Sequence, residues 1–184
     1  MTYFDFNAVI ISILVAFALS EILSSWGRLI EHRSRVRSPW LYVFSTGWLF
    51  FFLIAHWLGL WAYRDFEFDR LLQSFIVFAP SIVGALCAYV FTPSLSDKGD
   101  LDIDEHYFYV ARWGYSLVGL FIVLAGLTDI LVPGREPLPL FVFLVGGALM
   151  LWLGYTQHRL VHYIVLSIAW VVLVTSVFMV PIKG

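Results

Sequence analysis

The sequence predicts an all-α, polytopic integral membrane protein with six transmembrane helices, and three observations lead to this fold class. Six long apolar segments occupy most of the 184 residues. Each holds close to the ~20 apolar residues that a helix needs to cross the ~30 Å hydrocarbon core of a bilayer. Hydrophobic residues make up 61% of the chain and charged residues 13%, which is about half the charged share of soluble domains. A water-soluble core does not need six such segments in a chain of this size.

The six predicted helices are separated by residues that commonly begin or end helices. The first has Asp5 and no basic residue ahead of its apolar run, unlike a cleavable signal peptide, so we expect it to remain as a span. Pro39 stands where the second begins, a position that tolerates proline. Acidic residues at 102–105 precede the fourth and complement its dipole, Pro133 follows it, and a turn at 157–160 separates the last two. The predicted spans are residues 6–26, 40–63, 71–91, 107–132, 138–156 and 160–181.

A single domain covering residues 1–184 is expected, because the connections are too short to hold a second folded unit. The longest polar stretch, residues 92–106, is predicted to be a surface loop. The net charge is −2 and no basic stripe is present, so nucleic acid is not an expected partner. The single cysteine, Cys87, excludes an internal disulfide and stands among apolar residues, where we expect it to fill space.

Arginines are concentrated in the loop between the first two helices, which contains Arg28, Arg33, Arg35 and Arg37. Short cytoplasmic loops collect lysine and arginine. The resulting topology places seven basic residues on the side of this loop and four on the other. We therefore predict a multi-pass protein of the cell membrane with this loop in the cytoplasm and both termini outside.

A weak internal repeat links the third and sixth helices. Residues 70–77 and 159–166 both begin Arg-Leu, continue with mostly apolar residues and lie 89 positions apart, close to half the chain. Two three-helix halves must have opposite orientations, which is the inverted-repeat plan of many transporters. The alternative is chance similarity between two apolar helices with a basic start.

Glu21 is the clearest polar group inside a predicted span. Ser24, Ser25 and Arg28 share its helix face by spacing. Ionisable groups in membrane spans are costly, so this face is expected to contact protein or water rather than lipid. One interpretation is an ion pair of Glu21 with Arg28 or Arg112 that fixes helix packing. The other is a carboxylate that binds a proton or cation on a transport path.

Small residues form stripes on three helices, and Arg112 begins one of them. Such stripes favour close helix–helix approach. We expect them to support a homo-oligomer or a contact with a larger membrane complex; the alternative is that all three stripes meet inside one protomer. The stripes comprise Gly84, Ala85 and Ala88; Ser116, Gly119 and Gly126; and Gly146, Gly147 and Gly154.

Histidines supply the remaining candidate sites. His56 lies inside the second helix, and Asp129 near the end of the fourth is a candidate partner for it at similar depth. His106, His158 and His162 lie near one membrane side and could together hold a metal or a haem b. No known zinc-ligand spacing is present, so a hydrogen-bonding role is the alternative for each, and the cofactor is left open.

Three function classes follow from these residues. The first is a channel or transporter for ions, protons or small solutes with Glu21 on its polar path. The second is a non-catalytic accessory or scaffold subunit of a larger membrane complex. The third, more distant, is a haem- or metal-binding electron carrier. The chain contains no phosphate-binding glycine loop, nucleophile elbow or zinc-protease motif, so the sequence gives no ground for an enzyme.

Overall fold

The computed structural model describes residues 3–64, 71–93, 101–131 and 140–179, and almost all of them are helical. This confirms the all-α prediction. A short 3-10 helix, Leu60–Tyr63, continues the second α-helix, and two-residue strands β1, Val36–Arg37, and β2, Leu101–Asp102, lie in the loops. The α-helices are α1 Tyr3–Glu31, α2 Trp40–Gly59, α3 Leu71–Phe91, α4 Ile103–Leu131, α5 Leu140–Tyr155 and α6 Arg159–Met179.

Five of the described helices, all except α5, are long and apolar enough to cross a membrane. Helices of this length and composition indicate a membrane-embedded protein. The 16 residues of α5 cover about 24 Å, short of the ~30 Å hydrocarbon core. The predicted fifth span began at residue 138. Residues 132–139, which include this start, are outside the described part of the chain.

A small parallel strand pair brings two loops to one end of the bundle. Val36 of β1 pairs with Leu101 of β2, and Arg37 pairs with Asp102. The loop of residues 32–39 thereby meets the start of α4. We call this the arginine-loop end; α2 and α4 begin here, and α6 begins nearby after its short turn from α5. The expectation that residues 92–106 form a loop is wrong from residue 103 onward, because α4 begins at Ile103.

Glycines bring α4 and α5 into backbone contact. A Cβ on Gly119 would lie 2.7 Å from the carbonyl oxygen of Gly147, and one on Gly154 would lie 3.0 Å from that of Ala111. On α3, Gly84 accommodates side chains of α2 and α4. These contacts account for the small-residue stripes inside one protomer, so the stripes no longer argue for self-association.

The sixth helix packs differently from the fifth. Trp170 of α6 approaches Gly47 of α2 and donates a hydrogen bond to the Phe44 carbonyl at 3.4 Å. Although α5 and α6 are joined by a short turn, they contact each other little. The two halves of the chain also differ, because α1 packs mainly on α3 whereas α4 packs mainly on α5 among helices of its own half.

Candidate functional site

A chain of buried hydrogen bonds crosses the arginine-loop end. Ser45 Oγ lies 2.8 Å from Tyr115 OH, which lies 2.6 Å from Tyr107 OH. Tyr107 OH lies 2.7 Å from His162 Nδ1, and His162 Nε2 lies 2.8 Å from the Thr156 carbonyl oxygen. Ser45, Tyr107, Tyr115 and His162 are all buried. The chain joins α2, α4, α6 and the turn before α6.

The donor and acceptor in each of these hydrogen bonds follow from the last acceptor of the chain, the Thr156 carbonyl oxygen. The Thr156 carbonyl can only accept, so Nε2 of His162 carries a proton and donates. In a neutral imidazole Nδ1 then accepts, which makes Tyr107 the donor to His162 and Tyr115 the donor to Tyr107. Every hydroxyl and both ring nitrogens have partners, as buried polar groups require.

The three histidines predicted as metal or haem ligands do not form a ligand set. His162 uses both ring nitrogens in hydrogen bonds, and His158 is exposed in the turn before α6. His106 hydrogen-bonds to the Phe91 backbone, and its Nε2 is buried without a partner in the described part of the chain. Within the described residues no three His, Cys, Asp or Glu side chains are grouped so that they could hold a metal.

The polar face around Glu21 divides into separate contacts. Glu21 and Arg28 form an ion pair at 3.6 Å, with both side chains about one-third exposed. Ser25 instead turns inward, and its hydroxyl lies 2.5 Å from that of Tyr42 on α2. Arg112 stacks over the ring of Tyr155 at 4.9 Å from its centroid. Among the described residues no ion pair joins Glu21 to Arg112.

His56 and Asp129 do not hydrogen-bond to each other. His56 Nε2 lies 3.1 Å from Ser81 Oγ on α3. The Asp129 carboxylate accepts a hydrogen bond from the hydroxyl of Tyr63, which continues α2. The structure nevertheless brings His56 and Asp129 to the wall of one cavity.

This cavity lies between α2, α4, α5 and α6, in the half of the bundle away from the arginine loop, and has a volume of about 490 Å³. Its lining is mostly apolar, with Phe52, Phe121 and Phe143 among the largest side chains. We call it the cleft. Its other lining residues include Trp48, Ala55, His56, Tyr63, Ala125, Thr128, Asp129, Val142, Leu149, Ile168, Ala169, Val172 and Ser176.

The mouth of the cleft lies between α5 and α6. Lining residues on α2 and α4 are buried or half-buried, whereas several on α5 and α6 are also exposed at the surface. Val142 and Leu149 are exposed on α5, and Ile168 and Val172 are exposed on α6. In a membrane this mouth opens sideways toward lipid rather than toward water.

The cleft is about one leaflet long and has polar groups at one end. From Val165 to Ser176 it follows α6 for about 16 Å, close to half of the ~30 Å hydrocarbon core. Thr128 and Ser176 donate their hydroxyl protons to backbone carbonyls. Asp129 receives one hydrogen bond from Tyr63, and a carboxylate has room for further donors. The polar end therefore suits a ligand that donates an N–H or O–H.

One polar atom in the cleft wall lacks a partner. Trp48, which is 4% exposed, has its indole Nε1 buried without a hydrogen-bond acceptor among the described residues. Trp48 stacks on Phe52 at 4.8 Å, farther from the polar end than His56. Buried donors of this kind are rare in native structures and indicate an unfilled acceptor position.

Neither the cleft nor the buried chain of hydrogen bonds was predicted from the sequence. Tyr42, Tyr107 and Tyr115 count as apolar in a span search, although each hydroxyl must find a partner when buried. The sequence feature that could have indicated the hydrogen-bond chain is a set of tyrosines, a serine and His162 near the helix ends of the arginine-loop side. The cleft has no corresponding sequence pattern, because a cavity depends on the distance between helices.

Comparison with models of known protein families, with curated proteins and with solved structures finds no match to this chain.

Proposed function

We propose that this protein binds an amphiphile of the bilayer, with one apolar chain and a polar end that carries an N–H or O–H donor, in the cleft. The observation that carries this proposal is an apolar cavity, about one leaflet long, whose mouth lies between two lipid-exposed helices. Small-molecule sites are typically concave, mostly apolar and equipped with a few placed polar groups.

The cleft favours an apolar chain that enters sideways. Atoms that line an empty cavity lose dispersion contacts, and a chain from the surrounding lipid restores them without leaving an apolar medium. Asp129, held by Tyr63, then accepts a hydrogen bond from the polar end. The ligand is thus taken from the membrane rather than from water.

Among the transport hypotheses for ions, protons or small solutes, the cleft favours a substrate that is lipid-like. Glu21 does not line the cleft. Its ion pair with Arg28 supports a packing role over a place on an ion path. Release of the amphiphile to the other leaflet or to another protein would make the site part of a transport cycle.

A second candidate function is that of an accessory subunit. The Glu21–Arg28 pair lies partly exposed on α1, within a helix that is apolar enough to span the membrane. Charged groups in a span usually face protein or water. A partner helix that covers this pair would shield it from lipid, and the partner would then contact α1.

We further propose six spans, a cell-membrane location, and a topology with the arginine loop in the cytoplasm and both termini outside. Support comes from the arginines at 28–37 and from the β1–β2 contact, which places that loop and the start of α4 at one end. The inverted repeat remains a hypothesis, and the unequal packing of the two halves gives it no support.

Cysteine labelling tests this topology after Cys87 is replaced by alanine. Ser34→Cys is expected to react only with reagent supplied to the cytoplasmic side, and Trp61→Cys, at the other end, only with reagent supplied outside. The opposite pattern would show an inverted orientation.

Photolabelling tests ligand binding in the cleft. In vesicles, a long-chain alcohol with a diazirine in its chain is expected to label cleft residues of α5 and α6. Ala169→Trp, which fills the cleft, should reduce this labelling several-fold. Val171→Trp is the control, because Val171 is exposed on α6 and does not line the cleft. Equal labelling of the two variants would refute the proposed site.

A further inference from the structure

A second pocket, separate from the cleft, lies at the arginine-loop end between the start of α4 and the start of α6. Its volume is about 490 Å³. Three carboxylates, one guanidinium and two aromatic rings stand in its wall. The pocket is lined by Asp102, Asp104, Glu105, Phe108, Tyr109, Gln157 and Arg159.

Asp104 is the buried centre of this pocket. Its residue is 4% exposed, and its Oδ2 lies 2.6 Å from an Arg159 nitrogen. Its Oδ1 is buried and has no hydrogen-bond partner in the described part of the chain. A buried carboxylate oxygen without a donor is costly, so this atom indicates a missing partner that carries N–H or O–H groups.

The other two carboxylates have different positions. Asp102 Oδ1 accepts hydrogen bonds from the backbone N–H groups of Asp104 and Glu105, at 3.0 and 3.3 Å, and so caps α4. Glu105 is exposed at the pocket wall. Among the described residues that line the pocket, Arg159 is the one basic side chain beside these three acids. This excess of acidic groups favours a bound cation.

Arg159 adds an anion-binding group beside the acids. Its side chain is 58% exposed while one of its nitrogens contacts Asp104. A guanidinium has five N–H donors in a planar fork, which matches phosphate oxygens as well as carboxylates. Phe108 and Tyr109 supply aromatic faces, which attract cations. Cation and phosphate groups can therefore be bound side by side.

The depth of the pocket fits the headgroup layer. The 29 residues of α4 span about 43 Å. This exceeds the ~30 Å hydrocarbon core and matches the ~40–45 Å bilayer that includes headgroups. The first turns of α4 then lie at headgroup depth, and the neighbouring Tyr109 and Leu160 are strongly exposed.

We propose that this pocket binds a primary ammonium group carried beside a phosphate, the headgroup chemistry of an ethanolamine phospholipid. The ammonium donates to Asp104 Oδ1 and Glu105, and the phosphate contacts Arg159. A primary ammonium has three N–H donors, whereas the quaternary ammonium of a choline lipid has none to offer the unpartnered oxygen.

Native mass spectrometry of protein released from mixed vesicles tests this assignment. In vesicles with equal phosphatidylethanolamine and phosphatidylcholine, the ethanolamine lipid is expected to be retained about three- to tenfold more, as for one or two weak ionic contacts. Glu105→Gln, which leaves the Asp104–Arg159 pair intact, should reduce this preference to near one. Glu31→Gln is the matched control, because Glu31 is an exposed acid at the same end outside the pocket.

Two results would overturn the proposal. Equal retention of both lipids by the unmodified protein would exclude recognition of a primary ammonium. An undiminished preference in Glu105→Gln and in Asp104→Asn would place the recognition elsewhere.

Soluble O-phosphoethanolamine, added to protein in lipid-free detergent, distinguishes a lipid headgroup from a free phosphoethanolamine compound as the ligand. If it binds as tightly as the lipid is retained, the lipid source is wrong and the ligand is the free headgroup compound.

Discussion

The two ends of the bundle differ in how their helices are held. At the arginine-loop end, α2, α4 and α6 share a buried hydrogen-bond chain through Tyr107, Tyr115 and His162. In the other half α5 and α6 diverge, and the space between them and α2 and α4 is the cleft. One end is thus joined by polar contacts, and the other is open to lipid.

This difference follows from what holds helices together in a bilayer. Lipid tails are as apolar as side chains, so helices associate through close packing at small residues and through hydrogen bonds. Gly119, Gly147 and Gly154 provide close packing between α4 and α5. No glycine occurs in α6, which packs instead on α2 with its large Trp170. Because α5 packs on α4 and α6 packs on α2, the two helices contact each other little and leave a cavity.

The largest expected effect is on α4–α5 packing, the contact that both ends share. Gly119→Leu forces a side chain into the Gly147 carbonyl, which belongs to backbone and cannot rotate away. We expect a loss of roughly 3 kcal/mol or more in stability, at the upper end of overpacking effects. Thermal unfolding in mild detergent measures it. Gly27→Leu is the control, since a Cβ there meets nothing within 4 Å. Equal midpoints for the two variants would show that α5 does not pack on α4 this way.

The next effect concerns the hydrogen-bond chain at the arginine-loop end. Tyr107→Phe leaves His162 Nδ1 without its donor and Tyr115 without its acceptor. The free energy of unfolding is expected to fall by about 1–2 kcal/mol. This lies between the usual contribution of a hydrogen bond in membrane proteins and the cost of a buried polar group without a partner. Tyr109→Phe, at an 83% exposed position two residues away, should leave the unfolding midpoint unchanged. If both variants unfold alike, the chain does not stabilise this end.

A smaller effect is expected at the polar end of the cleft. Asp129→Leu removes the acceptor proposed for the ligand's polar group and retains apolar volume. Labelling of cleft residues by the long-chain alcohol should fall about two- to tenfold, corresponding to one hydrogen bond. Glu21→Leu, a carboxylate outside the cleft, should not change labelling. Unchanged labelling of Asp129→Leu would remove this carboxylate from the site.

The smallest effect is expected for Glu21. Glu21→Gln breaks an ion pair that is about one-third exposed, and pairs of this kind contribute about 0–1 kcal/mol. The unfolding midpoint should shift little, and ligand labelling should not change. Proton or cation flux in vesicles provides the contrasting measurement. If the protein conducts and Glu21→Gln abolishes flux at unchanged stability, the polar path through Glu21 would replace the cleft as the functional centre.

Much of the helical structure could be predicted from apolar length alone, and the exceptions are informative. The predicted first span ended at residue 26, whereas α1 continues to Glu31. Its buried positions Ile22, Ser25 and Leu29 keep helical spacing past the apolar run, so amphipathic periodicity marks the true end. The pairing of β1 with β2 could not be predicted, because it joins loops that are distant in sequence.

The candidate sites were less predictable because partner choice is not local. Glu21 and Arg28 could be paired from spacing along one helix, and the structure contains that pair. Ser25 was placed on the same face, but its partner is Tyr42 of the next helix. His162 was considered as a metal ligand, and only the position of Tyr107 shows why its ring is fully hydrogen-bonded. Which helices are neighbours decides these contacts.

A crystal structure grown in a lipid mesophase that contains a long-chain alcohol with a brominated chain tests the central claim most directly. Bromine gives an anomalous signal that locates the chain without interpretation of weak density. We predict a bromine peak inside the cleft, bounded by Phe52, Phe143 and Val172, that is absent in Ala169→Trp. Bromine peaks only on the outer surfaces of the helices, or α5 and α6 in contact with the cleft closed, would contradict the proposed amphiphile site.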